Sequence, residues 1–361
     1  MSKKLEKVCF IYTGGTIAMV KDETGIQRPP EDPHTFTNVV PQIRDIAEVR
    51  FVPVVNKDSI NMTPSDWMKI ADAIHKEYKD GYERFVVAHG VDTMAFSASA
   101  VSFAFGSNLN FPVVFTGGQT GAHEYHGDGL SNLLHSFQIA LTDIAEVVIC
   151  FNDKVFRATR AQKKDDRKFD AFESPACPPV AFLKNEIEIQ SFAKRRDSNA
   201  HSDYFNNTFI EGILPIPLAP SLIPEILFPA IESPLCKGVI LESYGGENVP
   251  WKEKFSFIEL IQHSISLGKP VIVASQFPAD STRYTLWEGG IKAKEAGAIP
   301  ISGMVLSTLI VKLSWILGRL SSVNFKNFDS KKEQIENWLE HNYVGEAGNN
   351  LIIKKINDDN K

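Results

Sequence analysis

The 361-residue sequence predicts an α/β protein of two domains. A larger N-terminal, mostly parallel, doubly wound sheet is expected, followed by a smaller C-terminal α/β domain. Three observations predict this. Short continuous runs of β-branched and aromatic residues alternate with amphipathic stretches, as in parallel strands covered on both faces. Each run leads into a glycine-bearing or polar loop, and in such sheets ligands bind outside the carboxyl ends of the strands. The pattern breaks at the polar, aperiodic "AKRRDSNAHSDYFNN", which is followed by the Pro-rich, apolar "ILPIPLAPSLIPEILFPAIESP".

Taken in order, Val8–Tyr12 leads to "TGGT", Phe85–Ala88 to "HGVDT" and Pro112–Phe115 to "TGGQTG". Val147–Phe151 leads to "NDKVFRATR", Gly238–Leu241 to "ESYGGENVP" and Pro270–Ala274 to "SQFPADS". The helical stretches between them are "TPSDWMKIADAIHKEYK", "AFSASAVSFAFG", "SNLLHSFQIAL" and "SFIELIQHSISLG". The first should be capped by Thr63, with Pro64 at its first helical position. The tail "KKEQIENWLEHNYVGEAG", from Lys331, reads as one helix ended near Gly345. The expected domains are 1–195 and 216–361, joined by a linker over 196–215.

Composition excludes several classes. Net charge is −6 with no basic tract, which weighs against nucleic acid as a partner. The apolar run of "MSKKLEKVCFIYTGG" stops at the Gly pair within a few residues, so neither a signal peptide nor a membrane span is expected. "ISGMVLSTLIVKLSWILG" contains Lys312 and polar residues and reads as a buried amphipathic helix. Cys9, Cys150, Cys177 and Cys236 are scattered, with no CxxC and no His cluster. They read as small buried thiols of a reducing cytoplasm, with no metal site.

The loops supply the chemistry. Glycines after a buried strand let the backbone approach a ligand closely, and a following helical turn offers free N–H groups to an anion or oxyanion. "TGGTIAMV" fits neither GxxxxGK[ST] nor GxGxxG, so nucleotide binding is weakly supported. Thr16 is then either a helix cap or a nucleophile. Asp92 in "HGVDTM" would by itself pass for a cap. The lysines of "FRATRAQKKDDRKFDAF" would by themselves pass for a solvated surface. An Asp–Lys pair in a crevice is nonetheless useful, because a desolvated ammonium beside a carboxylate can handle protons. Asp58 and Ser59 in "NKDSINM" sit in a turn that could hold a zwitterion, but by themselves would pass for an ordinary Asx-type turn.

In combination, "IYTGGTIAM", "DSINMTPSDW", "VVAHGVDTMAFSASAVSF", "VVFTGGQ", "FDAFESP", "ESYGGENVP" and "NYVGE" resemble, in order and spacing, the bacterial-type L-asparaginases. The likeness is greatest to their cytoplasmic type I branch and covers nearly the whole chain. It implies an asparaginase-like fold, hydrolysis of asparagine to aspartate and ammonia, and no metal or cofactor. It maps the nucleophile to Thr16 and the proton-handling pair to Asp92 and Lys163. Ser59 would hold the substrate α-carboxylate beside Asp58, and Asp92 would also grip the α-amino group. Backbone N–H groups near Gly90 and Gly118 would face the oxyanion. Asn248 would reach into the site of a partner chain, implying a homodimer or homotetramer.

Two positions depart from the family pattern. Val91 stands where the family keeps the triad threonine, and Ile26 where the lid tyrosine is expected. Valine cannot donate, accept or attack. Either Val91 was introduced as a block that traps ligand, or it marks natural divergence; Ile26 favours divergence, since a designed block would change one residue. The rival reading is a catalytically silent amino-acid-binding protein. An amidotransferase component is a third and weaker one, with no extra N-terminal domain or basic RNA-binding surface in view.

Overall fold

The computed structural model describes residues 5–200, 202–277 and 287–347. The chain divides into two compact units, the first reaching Asn207 and the second starting at Thr208.

In the first unit, β1 (Lys7–Gly14) leads through the short hairpin β2 (Val20–Lys21) and β3 (Gln27–Arg28) to the helical turns α1 (Phe36–Val39) and α2 (Ile43–Ile46). There follow β4 (Glu48–Lys57), α3 (Pro64–Lys79), β5 (Phe85–Ala88), α4 (Met94–Phe105), β6 (Val113–Thr116), α5 (Gly129–Ala140) and β7 (Val147–Phe151). The parallel strands lie in the order β4-β1-β5-β6-β7. The strand order reverses beside β1, so a crevice opens between the carboxyl ends of β1 and β5. The loops carrying Thr16 and Asp92 follow those two ends.

Strand residues of β1, β5, β6 and β7 are almost all buried, which is why they read as continuous apolar runs rather than alternating ones. On one face Val8, Phe10 and Tyr12 pack with Phe36, Ile43, Leu133 and Phe137. On the other, α3 packs on α4 and against β1, while α4 packs against β6 and β7. Thr63 and Asp66 form a reciprocal capping box at the start of α3, with Pro64 as its first residue. All four cysteines are free and buried.

The expected loop "NDKVFRATR" is instead partly strand. Asn152 turns the chain with a φ of 56°, and β8 (Lys154–Arg157) runs back antiparallel to β7. A four-residue strand offers too short an alternation to stand out in the sequence. Beyond it come the hairpin β9 (Gln162–Lys163) and β10 (Phe172–Glu173), then the antiparallel edge β11 (Ala181–Leu183) and β12 (Ile187–Ile189).

The second unit holds a four-stranded parallel sheet in the order β13 (Ile213–Pro217), β14 (Gly238–Ser243), β15 (Val271–Ser275) and β16 (Ile299–Ile301). Its described helices are α6 (Phe228–Glu232), α7 (Ile258–Ser266), α8 (Glu288–Glu295), α9 (Leu306–Leu320) and α10 (Phe328–Glu340). The buried helix expected over Ile301–Gly318 begins only at Leu306, because Ile301 still belongs to β16. The tail helix is also corrected: α10 starts before Lys331 and stops at Glu340, well short of Gly345. The "NYVGE" segment forms a loop because Glu346 accepts hydrogen bonds from the backbone N–H groups of Tyr343 and Val344. Its carboxylate also meets Lys312 at 2.7 Å, with both side chains fully buried. Burial opposes the charge on Glu346, but Lys312 and the backbone donors outweigh it and hold the carboxyl below its usual range.

The "SQFPADS" loop after β15 falls mostly on residues 278–286, outside the described residues. Among the described residues no helix is long and apolar enough to cross a membrane.

Candidate active site

Glycine lets four loops of the first unit touch. Gly14 and Gly15 both have positive φ, 92° and 85°, which turns the chain sharply after β1. A methyl on Gly14 would overlap the Lys57 backbone at the end of β4, and one on Gly15 would overlap the Gly90 amide. A methyl on Gly90 would lie 2.5 Å from Ser59 Oγ, and one on Gly117 would strike the His89 carbonyl. The ends of β1, β4, β5 and β6 therefore converge on the backbone at Gly90.

Thr16 opens a short 3-10 turn, Thr16–Ala18, just past this contact. It is half-buried, and its hydroxyl has no hydrogen-bond partner among the described residues. Asp58 caps the turn Ser59–Asn61 by accepting from the Ile60 N–H at 3.3 Å. Thr93 Oγ1 donates to the Ser59 carbonyl at 2.7 Å and fastens that turn to the β5 loop. The Ser59 hydroxyl is buried and unpartnered, an available donor and acceptor held against Gly90.

Lys163 lies 71 residues beyond Asp92 in sequence, yet its Nζ donates to Asp92 Oδ1 at 2.7 Å. The lysine is mostly shielded, at 17% side-chain exposure, and the carboxylate is half open, at 49%. Its neighbours Lys164 and Lys168 pair locally with Asp170 and Asp165, whereas Lys163 reaches the loop after β5. Val91 is buried, and a methyl on Gly117 would lie 3.3 Å from its Cγ1. Among the described residues, the backbone N–H groups of Thr16, Val91 and Gly118 have no partner. They are the donors the site can offer to a ligand oxygen.

Several supporting residues carried no recognisable signal in the sequence. Asp128 accepts from the N–H groups of Gln119 and Thr120, each at 3.1 Å, and so shapes the loop containing Gly118. Gln119 Nε2 reaches the carbonyls of Asp165 and Lys168, tying this loop to the one that follows Lys163 in the β9–β10 hairpin. Asp66 collects Lys57, Lys69 and Thr63. Burial by itself would raise its pKa, but those hydrogen bonds prevail and hold it at about 2. Lys57 ends β4 and Asp66 lies in the first turn of α3, so the pair clamps the Asp58–Ser59 turn from both sides. Ile26 is 54% exposed, in the turn between β2 and β3. Asn248 belongs to the second unit, where it bridges Tyr244 beyond β14 and its Oδ1 is buried without a partner.

A family model described as asparaginase, N-terminal, matches residues 7–195. The L-asparaginase of Thermococcus kodakarensis is 29% identical over 340 residues, covering 94% of this chain and 98% of that protein. The solved structure of the thermostable L-asparaginase from that organism matches with a TM-score of 0.82, over 94% of this chain and 99% of the other. L-asparaginase 1 of Escherichia coli is 30% identical, over 88% of this chain and 93% of that protein. A glutamyl-tRNA(Gln) amidotransferase component from Pyrococcus abyssi is also 30% identical, over 95% of this chain and 77% of that protein.

Proposed function

The chain belongs to the asparaginase family, and on that premise we propose that it hydrolyses L-asparagine to L-aspartate and ammonia through Thr16. The observation that carries this reading is the Lys163–Asp92 pair at 2.7 Å, with Asp92 two residues beyond Gly90, against which Gly15, the residue before Thr16, is packed. In this reading Ser59 holds the substrate α-carboxylate and Asp92 its α-amino group. The Val91 and Gly118 N–H groups face the amide oxygen, whose developing charge they stabilise. Thr16 Oγ attacks the amide carbon and loses its proton. The C–N bond then breaks, and ammonia departs carrying a proton delivered within the site. Water then cleaves the Thr16 ester. Lys163 and Asp92 handle the protons, with no cofactor.

Val91 lies where a hydroxyl would complete that proton route, so turnover is expected to be weakened. We also assign the chain to the cytoplasmic type I branch, on its likeness to L-asparaginase 1 of Escherichia coli. Val91 equally favours a second reading, a silent binder of asparagine or aspartate. Ammonia release from asparagine and from glutamine, measured beside calorimetry with aspartate, separates them. Release that disappears in Thr16→Ala, with aspartate binding retained, supports the hydrolase. Aspartate binding without any release supports the binder.

A further inference from the structure

Gly90 is held on two sides, by Gly15 and by Ser59, so the main freedom left to it is rotation of the following peptide plane. One side chain bonds to the carbonyl of that plane. The His89 ring is fully buried, against Phe115, and its Nδ1 lies 2.7 Å from the carbonyl oxygen of Gly90. A carbonyl only accepts, so Nδ1 must carry the proton. Nε2 is then a bare lone pair, buried and without a partner. Burial also pushes the ring pKa down to about 4, so near pH 7 His89 is neutral and carries the single ring proton, on Nδ1. A histidine that buries an unpartnered nitrogen gives up hydrogen-bond energy, and the bond it keeps is the one to Gly90.

Among the described residues there are no cis peptides, so the Gly90 carbonyl and the Val91 N–H lie in one plane and point in opposite directions. With the carbonyl turned to the imidazole, the Val91 N–H faces away from it, where it has no protein partner. We propose that His89 is a positioning residue, whose Nδ1–H fixes the Gly90–Val91 peptide so that the Val91 N–H is aimed at the substrate's amide oxygen. This rests on the hydrolase reading, and it adds a residue that touches no substrate.

Two substitutions make opposite predictions. Asparagine can return a donor near the place of Nδ1 without the ring, and phenylalanine returns the ring without the donor. If His89 positions the peptide, His89→Asn keeps kcat within about threefold. His89→Phe then loses about a hundredfold in kcat, the scale of one misplaced or missing oxyanion donor, with aspartate affinity little changed. If His89 only fills space, the order reverses, and that result overturns the proposal. The assays use the intact chain, or Val91→Thr where the parent turns over too slowly to measure. Nitrogen-15 spectra of histidine-labelled protein, with the His89 signal identified from its loss in His89→Asn, supply a readout independent of turnover. A proton on Nδ1 and none on Nε2 at neutral pH is expected; a proton on Nε2 overturns the proposal. A chain silent in both backgrounds refutes the hydrolase reading, and the tautomer then decides whether His89 holds the peptide.

Discussion

We propose that Val91 occupies the place of a hydroxyl that would serve the Asp92–Lys163 pair, and its surroundings set what restoring one should do. Val91 is only 5% exposed, at the wall between the β5 and β6 loops. In Val91→Thr the new hydroxyl would meet the polar crevice rather than a dry core, so the stability change should stay within about 1 kcal/mol. The expected gain is in kcat, by roughly a hundredfold, the scale of general acid–base assistance. Aspartate affinity should move little, because the hydroxyl acts in proton handling. Ile26→Tyr should add to this non-additively, through a residue now 54% exposed. Ammonia release from the parent, both single variants and the double measures it; no gain in any of them refutes the role given to Val91. Val91 was legible as a candidate departure because "HG" and "DT" flank it within the resemblance. His89, in the same motif, was silent, because its partner is a backbone carbonyl that no residue pattern records. Gln119 was missed for the same reason, and Asp128 because it accepts from the Gln119 and Thr120 N–H groups and from the Thr120 and Asn132 side chains, a local set that no motif records.

Among elements, the carboxyl-end loops of β1, β5 and β6 were legible because a buried parallel strand followed by glycine has few alternatives. The antiparallel edge was not legible: β8, β11 and β12 are three or four residues each, too short for a period to show. The true end of α10 was hidden by helix-compatible residues that Lys312 and Glu346 hold in a loop instead. The N-terminus of α3 was readable as a cap, but its second task was not. Asp66 joins Thr63, Lys69 and Lys57, and through Lys57 it steadies the Asp58–Ser59 turn. Asp66→Asn should therefore cost about 2 kcal/mol of stability, on the scale of a lost cap and charged hydrogen bonds. It should weaken aspartate binding more than it lowers kcat. The sign with pH follows from the depressed pKa. The Asp66 contribution is fully present above its unfolded value near 3.8 and is lost as pH falls towards about 2. Thermal melts of the parent should fall through that window more steeply than those of Asp66→Asn. Parallel curves would remove Asp66 from the account.

For the whole molecule we propose that Asn248 of one chain serves Thr16 of another. The first unit leaves apolar side chains exposed on its carboxyl-end loops, among them Ile60 beside Ser59 at 65% and Tyr125 at 97%. Such a rim around a polar crevice suits cover by another protein surface. In the second unit Asn248 Oδ1 is buried and unpartnered, packed against Gly289. We expect at least a two-fold dimer, visible by light scattering at micromolar concentration, in which Asn248 acts on the site of the other chain. Mixing two inactive variants tests this directly. Thr16→Ala chains keep Asn248, and Asn248→Ala chains keep Thr16. If the residues work across the interface, each mixed dimer contains one site with both groups intact and one with neither. Equal, random mixing makes half the dimers mixed, so about a quarter of all sites regain activity. If Asn248 acts within its own chain, no site in the mixture holds both groups, and activity stays at the sum of the two variants. Exchange of chains between dimers must be shown in the same samples, by co-purification of differently tagged chains, so that an absence of rescue counts against the shared site.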